Sequence, residues 1–359
     1  MLRDTGVQTF SLSCIVKIMS APIESDEQEQ TRRGVYTKFL ECVRGFIREN
    51  SADEFEMEVQ LLRAVGEVCL AGRRYQHIMI NSGVFPVIMS LLTHPIEGHP
   101  DRKDKLVEEC LSALYYVLIG CEKNKASFKK CMGYNNLTST LRKVVETVSD
   151  QRIVTSKLFD MLVETRIKWG TGSSSDVIPT IRNSQILFVI LDLVSSLKTD
   201  NVVHTLTRFI ELLSSMPNRN ICCKCGVLTY LLDAIDYYSG SGEEAKKAMV
   251  KRKISFSTRI NSLFIEIIHI LGSHTLSASE LKHLIRILSF SGPSKTRLPD
   301  FPYLIYALHQ MPSSTTTPES YFGFNGISSV KIILKYHSYS QLYFTFSMVV
   351  SNFTFQCFL

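Results

Sequence analysis

Three cysteines lie close together at Cys222, Cys223 and Cys225, and they are the densest set of potential metal ligands in the chain. Structural zinc needs four ligands that converge tetrahedrally, and thiolates are among the ligands it prefers. A second pair of cysteines or histidines at suitable spacing does not follow these three. The pattern therefore favours the packing of small side chains in a turn over a metal site, and we expect no metal ligands in this chain.

A basic run follows these cysteines and contains Lys251, Arg252 and Lys253. Arg252 stands three residues before Ser255, a spacing that resembles the site of a basophilic kinase. A phosphate on Ser255 would add about two negative charges among these cations. The same cations could contact an anionic lipid or an acidic partner. The alternative is an ordinary solvated helix face or loop.

Residue patterns typical of catalysis are missing from the sequence. It contains no Ser-His-Asp motif, no Walker loop and no paired-carboxylate signature. Residues 170–172 (GTG) are too short for a phosphate-binding loop, and His269 and His283 stand within apolar helical patterns. The net charge of +6 is small for 359 residues, and most basic residues are dispersed. We therefore expect neither an enzyme nor a cofactor, and no binding of nucleic acid.

A glycine recurs between apolar helical patterns at Gly83, Gly133 and Gly226. Each has an apolar residue five positions before it and another directly after it, and apolar positions follow at the fourth and eighth places. Glycine suits a tight turn because it accepts backbone angles that a residue with a β-carbon resists. The pattern predicts a helix, a turn and a second helix, repeated along the chain.

The spacing of these glycines indicates a helical repeat. They are 50 and 93 residues apart, and the longer interval is roughly two units of an armadillo-like solenoid, whose period is about 40 to 47 residues. We therefore expect a degenerate unit between Gly133 and Gly226, with a surface loop at 170–176 and an apolar helix at 186–197. A helix over 106–121 is apolar nearly all round and is expected at the centre of the fold.

Local signals place the ends of several elements. The polar stretch at 24–30 has little to bury, so ordered structure is expected to begin near Tyr36. Charged residues and prolines at 95–105 predict a loop, after which the next helix begins at Leu106. Ser277 and Glu280 match a capping box, in which hydroxyl and carboxylate satisfy exposed amides reciprocally.

The predicted fold class is all-α, an armadillo-like helical solenoid of about five or six units with an incomplete β segment at the C-terminus. Beyond residue 321 the apolar residues alternate, as Leu342, Phe344 and Phe346 illustrate, which is typical of a strand. The predicted domains are a flexible lead-in at 1–33, the solenoid at 34–312, a polar spacer at 313–320 and a partial or truncated β segment at 321–359.

The cysteine usage and the N-terminal sequence bear on the compartment, and we expect a cytoplasmic chain with reduced, buried thiols. No convincing signal peptide opens it. The last 24 residues carry no Asp, Glu, Lys or Arg, yet polar residues interrupt them, which disfavours a membrane span. So apolar a segment is not stable alone, and we expect either a piece of a larger protein or an aberrant end.

The order of three motifs resembles the amino-terminal half of BEACH-domain proteins. The motifs are residues 280–288 (ELKHLIRIL), 307–312 (ALHQMP) and 321–326 (YFGFNG). In that family an armadillo-like solenoid runs into a concanavalin-like β-sandwich through a similar "QMP" spacer. Residues 218–221 (NRNI) and 225–228 (CGVL) resemble the WD-repeat and FYVE-domain subgroup, the autophagy-linked FYVE proteins, and the neurobeachin subgroup is the runner-up.

The resemblance implies a non-enzymatic protein-interaction scaffold that acts in selective autophagy or vesicle trafficking. Its stacked helices would present a groove to a protein or peptide partner, with each repeat contributing a few side chains. Beyond residue 330 the sequence departs from the family's sandwich, so a complete sandwich is not expected. The alternative function is a membrane-associated regulator, in which Lys251, Arg252, Lys253 and the aromatic tail bind anionic lipid.

Overall fold

The structure is a computed structural model that describes residues 14, 16–19, 21–46, 52–93, 100–166, 178–239, 258–288, 306 and 311. Within these ranges the regular secondary structure is helical, so the chain is an all-α, armadillo-like solenoid. The helices are α1 Asp26–Phe46, α2 Ala52–Leu70, α3 Arg73–Asn81, α4 Val84–Leu92, α5 Pro100–Leu118, α6 Glu122–Cys131, α7 Tyr134–Thr147, α8 Gln151–Val163, α9 Ser184–Val194, α10 Thr199–Leu213, α11 Met216–Lys224, α12 Val227–Ser239, α13 Thr258–His274 and α14 Ala278–Leu288.

The helices form stacked units with a long first helix, a short second helix and a third helix, except that no second helix is described in the third unit. The first helices α2, α5, α8 and α10 begin at residues 52, 100, 151 and 199, which gives spacings of 48, 51 and 48 residues. Each first helix packs against the first helix of the next unit, and α10 packs against α13, the first helix of the fifth unit. The third helices are α4, α7, α9, α12 and α14, and α4 packs against α7, α7 against α9, and α12 against α14. The repeat is therefore slightly longer than the expected period, and each unit contacts mainly its neighbours, as in a solenoid.

The turn between the second and third helices confirms the glycine prediction. Gly83, Gly133 and Gly226 have φ angles of 90°, 77° and 77°, and each directly precedes a third helix. A residue with a β-carbon is strained at such angles, at a cost of roughly 1 kcal/mol. Glycine therefore lets the chain reverse while the apolar residues on both sides of the turn stay buried.

The third unit is the degenerate one that the 93-residue interval predicted. Its first helix, α8, ends at Glu164, which adopts a left-handed φ of 57° in place of a glycine. Residues 178–183 then run without helical structure to the start of α9, and the backbone amides of Arg182 and Asn183 donate to Leu162 O at 2.9 and 3.0 Å. This segment occupies the place of a second helix. The predicted loop at 170–176 lies outside the described residues.

A continuous apolar core runs through the stack, and α5 lies at its centre as predicted. This helix packs against α2 and α4 of the preceding unit and against α8 of the next unit, so it contacts both neighbouring units. Aromatic rings join the second and third helices: Phe128 lies 5.0 Å from Phe85 and 5.1 Å from Tyr134 between ring centroids, both edge to face. Full burial of one such ring stabilises the fold by about 1.5–3 kcal/mol.

Buried amide side chains close the turn after the first or third helix of successive units. Gln76 donates to Tyr116 O at 2.8 Å, Asn124 to Val117 O at 2.8 Å, and Asn218 to Leu212 O at 2.8 Å. Gln151 donates to Val145 O at 2.7 Å. These carbonyls belong to the last turn of a helix, where no intrahelical amide is available for them. The sequence analysis assigned this role to none of the four residues, and it noted Asn218 only as part of the motif at 218–221.

Asn218 also fixes the segment that replaces the second helix of the third unit. Its amide group donates to Pro179 O at 3.0 Å, and its carbonyl accepts the Ile181 backbone amide at 2.8 Å. The side chain is fully buried. One residue thereby satisfies three backbone groups from two units, which anchors a stretch that has no helical hydrogen bonds of its own.

Two helices begin earlier than expected. Helix α1 begins at Asp26 rather than near Tyr36, so the expected boundary between a flexible lead-in and the solenoid at 33 and 34 falls inside this helix. Ser25 Oγ accepts the Gln28 amide at 3.3 Å, and three acidic residues occupy the first turn. Polar residues are favourable there because they cap exposed amides and interact with the helix dipole, so polarity alone did not indicate disorder.

Helix α5 likewise begins at Pro100, six residues before the expected start at Leu106. Proline is tolerated in the first turn of a helix because that position needs no amide hydrogen, and Asp101 suits the same turn. The buried Asp104 carboxylate accepts the backbone amides of Ser149 and Asp150 at 2.9 and 3.2 Å. The charged residues that suggested a loop thus belong to a helix that contacts the next unit.

The capping box at the start of α14 is confirmed. The Ser277 amide donates to Glu280 Oε2 at 2.9 Å, and the Glu280 amide donates to Ser277 Oγ at 3.3 Å. Beyond this helix, Met311 packs against Gly272 of α13. The polar spacer at 313–320 and the β segment at 321–359 lie outside the described residues, so both stay predictions.

Two glycine substitutions should change stability in opposite directions. A β-carbon on Gly66 in α2 would lie 2.7 Å from Tyr116 Cδ2, whereas one on Gly34 in α1 would have nothing within 4 Å. We expect Gly66→Ala to lower the free energy of unfolding by about 1–3 kcal/mol through overpacking. We expect Gly34→Ala to raise it by about 0.5–1 kcal/mol, because alanine is the better helix former. Urea denaturation followed by circular dichroism measures both, and two changes of equal sign would contradict the packing described.

Removal of the Asn218 amide should destabilise the fold at the junction of the third and fourth units. Asn218→Ala leaves the buried Ile181 amide without its partner, and an unsatisfied buried group costs about 1–3 kcal/mol. It also removes one of the two hydrogen bonds that Leu212 O accepts, the other coming from the Ser215 amide at 3.3 Å. Asn135→Ala, at an exposed position of α7, is the matched control and should change stability by less than about 0.5 kcal/mol. Equal unfolding midpoints for the two variants in urea would contradict the anchoring role.

Candidate functional site

The residues that the sequence analysis singled out for modification or lipid binding lie outside the described residues. These are Ser255, Lys251, Arg252 and Lys253, in the stretch between α12 and α13. The phosphorylation site and the lipid contact therefore stay predictions. Within the described ranges, no helix combines the length and the apolar composition that crossing a bilayer requires.

The three clustered cysteines lie in and directly after α11, and the structure places them differently. Cys222 is fully buried in the core, and burial raises the pKa of its thiol. Cys223 Sγ donates to Leu271 O of α13 at 3.8 Å, and Cys225 is the last residue before the Gly226 turn. Cys222 therefore packs in the hydrophobic core. Across the described ranges, no three His, Cys, Asp or Glu side chains are grouped so as to hold a metal ion.

Side chains of successive third helices meet on one surface of the solenoid, which we name the third-helix face. It consists of the exposed and half-buried residues of α7, α9, α12 and α14, and the contacts between units involve Arg142, Phe188, Asp192, Thr229, Tyr230, Asp233, Glu280, His283 and Arg286. Each belongs to a helix that follows a turn or a cap described above. The periodicity that makes these helices amphipathic thus also aligns their outward residues from one unit to the next.

Asp192 of α9 is the central group of this face. The Arg142 guanidinium of α7 donates to its backbone carbonyl at 3.3 Å and lies 4.0 Å from its carboxylate. The Tyr230 hydroxyl of α12 donates to the same carboxylate, and the Tyr230 ring lies 5.6 Å from Phe188, edge to face. Three consecutive third helices are therefore joined through one half-buried carboxylate.

A second group of contacts continues the face from α12 to α14. His283 Nδ1 lies 3.5 Å from Asp233 Oδ1, and the Arg286 guanidinium lies 2.9 Å from His283 Nε2. Arginine only donates hydrogen bonds, so Nε2 accepts and the ring proton is on Nδ1, towards Asp233. Thr229 Oγ1 donates to Glu280 Oε1 at 3.1 Å, which ties the capping box of α14 to the same surface. The contacts thus extend over four units.

The chemistry of the third-helix face suits recognition rather than bond making. Its Asp192 and Glu280 carboxylates already accept hydrogen bonds from Tyr230 and Thr229. Tyrosine and arginine, which dominate the binding energy of many protein interfaces, lie here beside a half-exposed phenylalanine. A side chain of a partner could pack on Phe188 and Tyr230 while its polar groups reach the Asp192 carboxylate.

A buried ionic cluster joins the second and third units beneath the surface. The Lys125 ammonium pairs with Glu122 at 2.6 Å and with Glu164, whose carboxylate also accepts the Gly120 amide at 3.1 Å. Burial lowers the pKa of Lys125, but the hydrogen bonds to both carboxylates outweigh burial and leave the pKa above its ordinary value. Glu164 thus keeps its left-handed conformation because two partners from the preceding unit hold its side chain.

The sequence analysis missed this cluster and most of the third-helix face. Of the residues on that face, it had used Tyr230 as an apolar position of the repeat, Glu280 in the capping box, and His283 and Arg286 within the helical pattern at 280–288. It assigned none of them a contact between units. The contacts join residues from 38 positions apart, as for Asp192 and Tyr230, to 51 apart, as for Thr229 and Glu280. A recurrent separation close to the repeat length is the signal that could have found them.

Comparison with known proteins identifies a related region. A family model described as the neurobeachin alpha solenoid region matches residues 1–297. No curated protein matches the chain. The match agrees with the resemblance to BEACH-domain proteins that the sequence motifs indicated, and it covers the helices of the solenoid described above.

The buried cysteines should react far more slowly than an exposed one. Burial raises the pKa of Cys69 from 9.0 to about 12, and that of Cys222 in the same direction, whereas Cys131 is exposed. Because only the thiolate attacks iodoacetamide, a rise of three pKa units slows alkylation about a thousandfold near pH 8. Mass spectrometry of tryptic peptides over time should show Cys131 modified first. In urea all three should react alike, and equal native rates for Cys222 and Cys131 would contradict the burial of Cys222.

Proposed function

Because this chain belongs to the neurobeachin alpha solenoid family, which provides a scaffold-like module in BEACH-type proteins, we propose that it is a non-enzymatic protein-interaction module. We further propose that it acts in selective autophagy or vesicle trafficking, from a cytoplasmic location. Its partners bind along the third-helix face, and the solenoid acts as a rigid support that holds this face in register.

The observation that carries this proposal is the continuous set of contacts around Asp192. A solenoid presents an extended surface because every unit adds one helix to the same row. On this surface a carboxylate, a guanidinium and two aromatic rings from three units hold each other in place before any partner binds. Such pre-organisation lowers the entropic cost of binding, so a modest contact area supports specific recognition.

The location of these groups also indicates what the partner contributes. Asp192 and Tyr230 are half-buried, and the Asp192 side chain retains 33% of its exposure. A partner that packs an apolar or aromatic side chain on Phe188 would cover the hydrogen bond between Asp192 and Tyr230. Excluding water from that bond strengthens it, because the local dielectric constant falls. The partner therefore offers an apolar anchor beside a hydrogen-bond donor.

We propose the WD-repeat and FYVE-domain subgroup as the closer relation within the BEACH family. The support is the similarity at residues 218–221 (NRNI) and 225–228 (CGVL). Two of these residues, Asn218 and Gly226, have structural roles in closing turns. Residues with such roles serve any solenoid of this kind, so the neurobeachin subgroup remains the alternative.

A membrane-associated regulator is the alternative function. It rests on Lys251, Arg252, Lys253 and the uncharged aromatic tail. Flotation with vesicles that contain phosphatidylserine separates the two functions. Flotation that salt abolishes would implicate the three cations, because salt screens surface charges. Flotation that resists salt would implicate the tail.

Disruption of the third-helix face should abolish partner binding without unfolding the chain. We introduce Asp192→Ala and Tyr230→Phe together into the full chain. We expect this variant to retain at least about tenfold less of each specific protein that the wild type retains from cell extract, which corresponds to about 1.4 kcal/mol of binding free energy. Glu211→Ala, an acid-to-alanine change on α10, is the matched control and should retain them.

Quantitative mass spectrometry of the retained proteins measures the outcome, and circular dichroism verifies that the variants remain folded. Retention of membrane-traffic or autophagy proteins by the wild type and the control alone would support the proposal. Two results would contradict it: retention of chaperones only, or retention of the same proteins by the wild type, the double variant and the control.

A further inference from the structure

The second helices form another surface, which we name the second-helix layer. It consists of α3, α6, the extended segment 178–183 and α11. Helix α3 packs against α6, the pair of Lys125 and Glu164 joins α6 to the third unit, and Asn218 of α11 binds Pro179 and Ile181. The four elements therefore follow one another along the solenoid without interruption.

Exposed cations dominate this layer. Glu122 is the single acidic residue in these four elements, and it is already paired with Lys125. The exposed basic residues are Arg73, Arg74, Lys123, Lys129, Lys130, Arg182 and Lys224. Each of the four successive elements contributes at least one of them. The layer thus carries positive charge along its whole length rather than at a single point.

The first helices show a different charge arrangement. Their exposed surface pairs Arg63 with Glu109 at 2.7 Å and Lys157 with Glu108 at 3.2 Å. On the second-helix layer, Arg74 is paired with Glu29 of α1 at 2.5 Å. Within the described residues, no ion pair is recorded for Lys129, Lys130 or Lys224. Acidic residues of neighbouring first helices thus pair with Arg63 and Lys157, whereas these three cations of the second-helix layer have no such pair in the described part of the chain.

We propose that the second-helix layer binds an extended, acidic segment of a partner protein, whose carboxylates contact cations of successive units. This site is separate from the third-helix face and does not depend on the proposed function. Complementary charge attracts the segment and also fixes its alignment along the solenoid, because a carboxylate opposite each unit pairs with the cation of that unit.

The dimensions fit an extended chain. Packed helices lie about 8–10 Å apart, so four elements span about 25–30 Å. An extended peptide advances about 3.3 Å per residue, so nine residues cover that span. A carboxylate at every third residue would therefore lie opposite each successive element. The cations are distributed one unit apart, whereas lipid recognition typically relies on four to eight cations in one local cluster. The arrangement therefore favours a linear acidic peptide over a membrane surface.

Binding of a short acidic peptide to the full chain tests this proposal. The probe is a fluorescein-labelled peptide of ten glutamates, and the reference is a peptide of ten glutamines, each followed by fluorescence anisotropy. We expect the glutamate peptide alone to bind, with an affinity that falls as salt is added. A five-glutamate peptide, which cannot span four elements, should bind at least about tenfold more weakly.

Charge reversals locate the site. Lys129→Glu with Lys130→Glu should weaken binding of the ten-glutamate peptide by about tenfold or more, since each exposed ion pair is worth up to about a factor of five. Lys143→Glu with Lys198→Glu is the matched control: it makes the same change in net charge at exposed positions outside the layer and should weaken binding less than about threefold. The variant with Asp192→Ala and Tyr230→Phe should bind the peptide as the wild type does, so the two proposals fail independently.

Three results would overturn the proposal. Equal losses in the two charge-reversal variants would show a response to net charge alone. Loss only on reversal of Lys251, Arg252 and Lys253 would place the acidic site in the basic run instead. Binding of phosphatidylserine vesicles or of a ten-nucleotide single strand, lost with Lys129→Glu and Lys130→Glu in the absence of peptide binding, would assign the layer to a lipid or a nucleic acid.

Discussion

Each unit of this solenoid reverses direction twice within about 50 residues, and the reversals leave backbone carbonyls at helix ends inside the protein. Water cannot reach these groups, so side chains must satisfy them, and Gln76, Asn124, Gln151 and Asn218 do so. An unmade hydrogen bond of this kind costs about 1–3 kcal/mol, a large part of the net stability of a domain. The stack of helices, and therefore both of its outward surfaces, depends on these buried amides.

The third unit shows how the solenoid tolerates an exception to its own pattern. It lacks the turn glycine and a described second helix, and Glu164 adopts a strained backbone conformation instead. The lysine and the amide of the preceding unit that bind Glu164, together with the three hydrogen bonds of Asn218, hold the unit from both sides. Contacts with neighbours thus replace the local signals that define the other units, as expected when stability is shared between adjacent repeats.

The three rows of helices give the molecule surfaces with distinct chemistry. Ion pairs join neighbouring first helices, as Arg63 with Glu109 and Lys157 with Glu108 illustrate. The third helices present a half-buried aromatic and carboxylate cluster around Asp192, and the second helices present cations that the solenoid leaves available. A scaffold with two different binding surfaces can hold two partners at once, because neither surface overlaps the other. The regular order of helices within each repeat places the two surfaces on different rows of helices.

The sequence by itself determined the local features: the glycine turns, the capping box of Ser277 and Glu280, the apolar stripes and the degenerate unit between Gly133 and Gly226. The turns, the capping box and the stripes depend on residues within about two helical turns of one another, where backbone geometry decides the outcome, and the degenerate unit follows from the spacing of the turn glycines. The polar residues at the starts of α1 and α5 suggested a flexible lead-in and a loop, whereas both segments are helical. Only the tertiary structure decided that Arg142 meets Asp192 and that Lys125 meets Glu164, since stacking of neighbouring units brings together residues about one repeat apart.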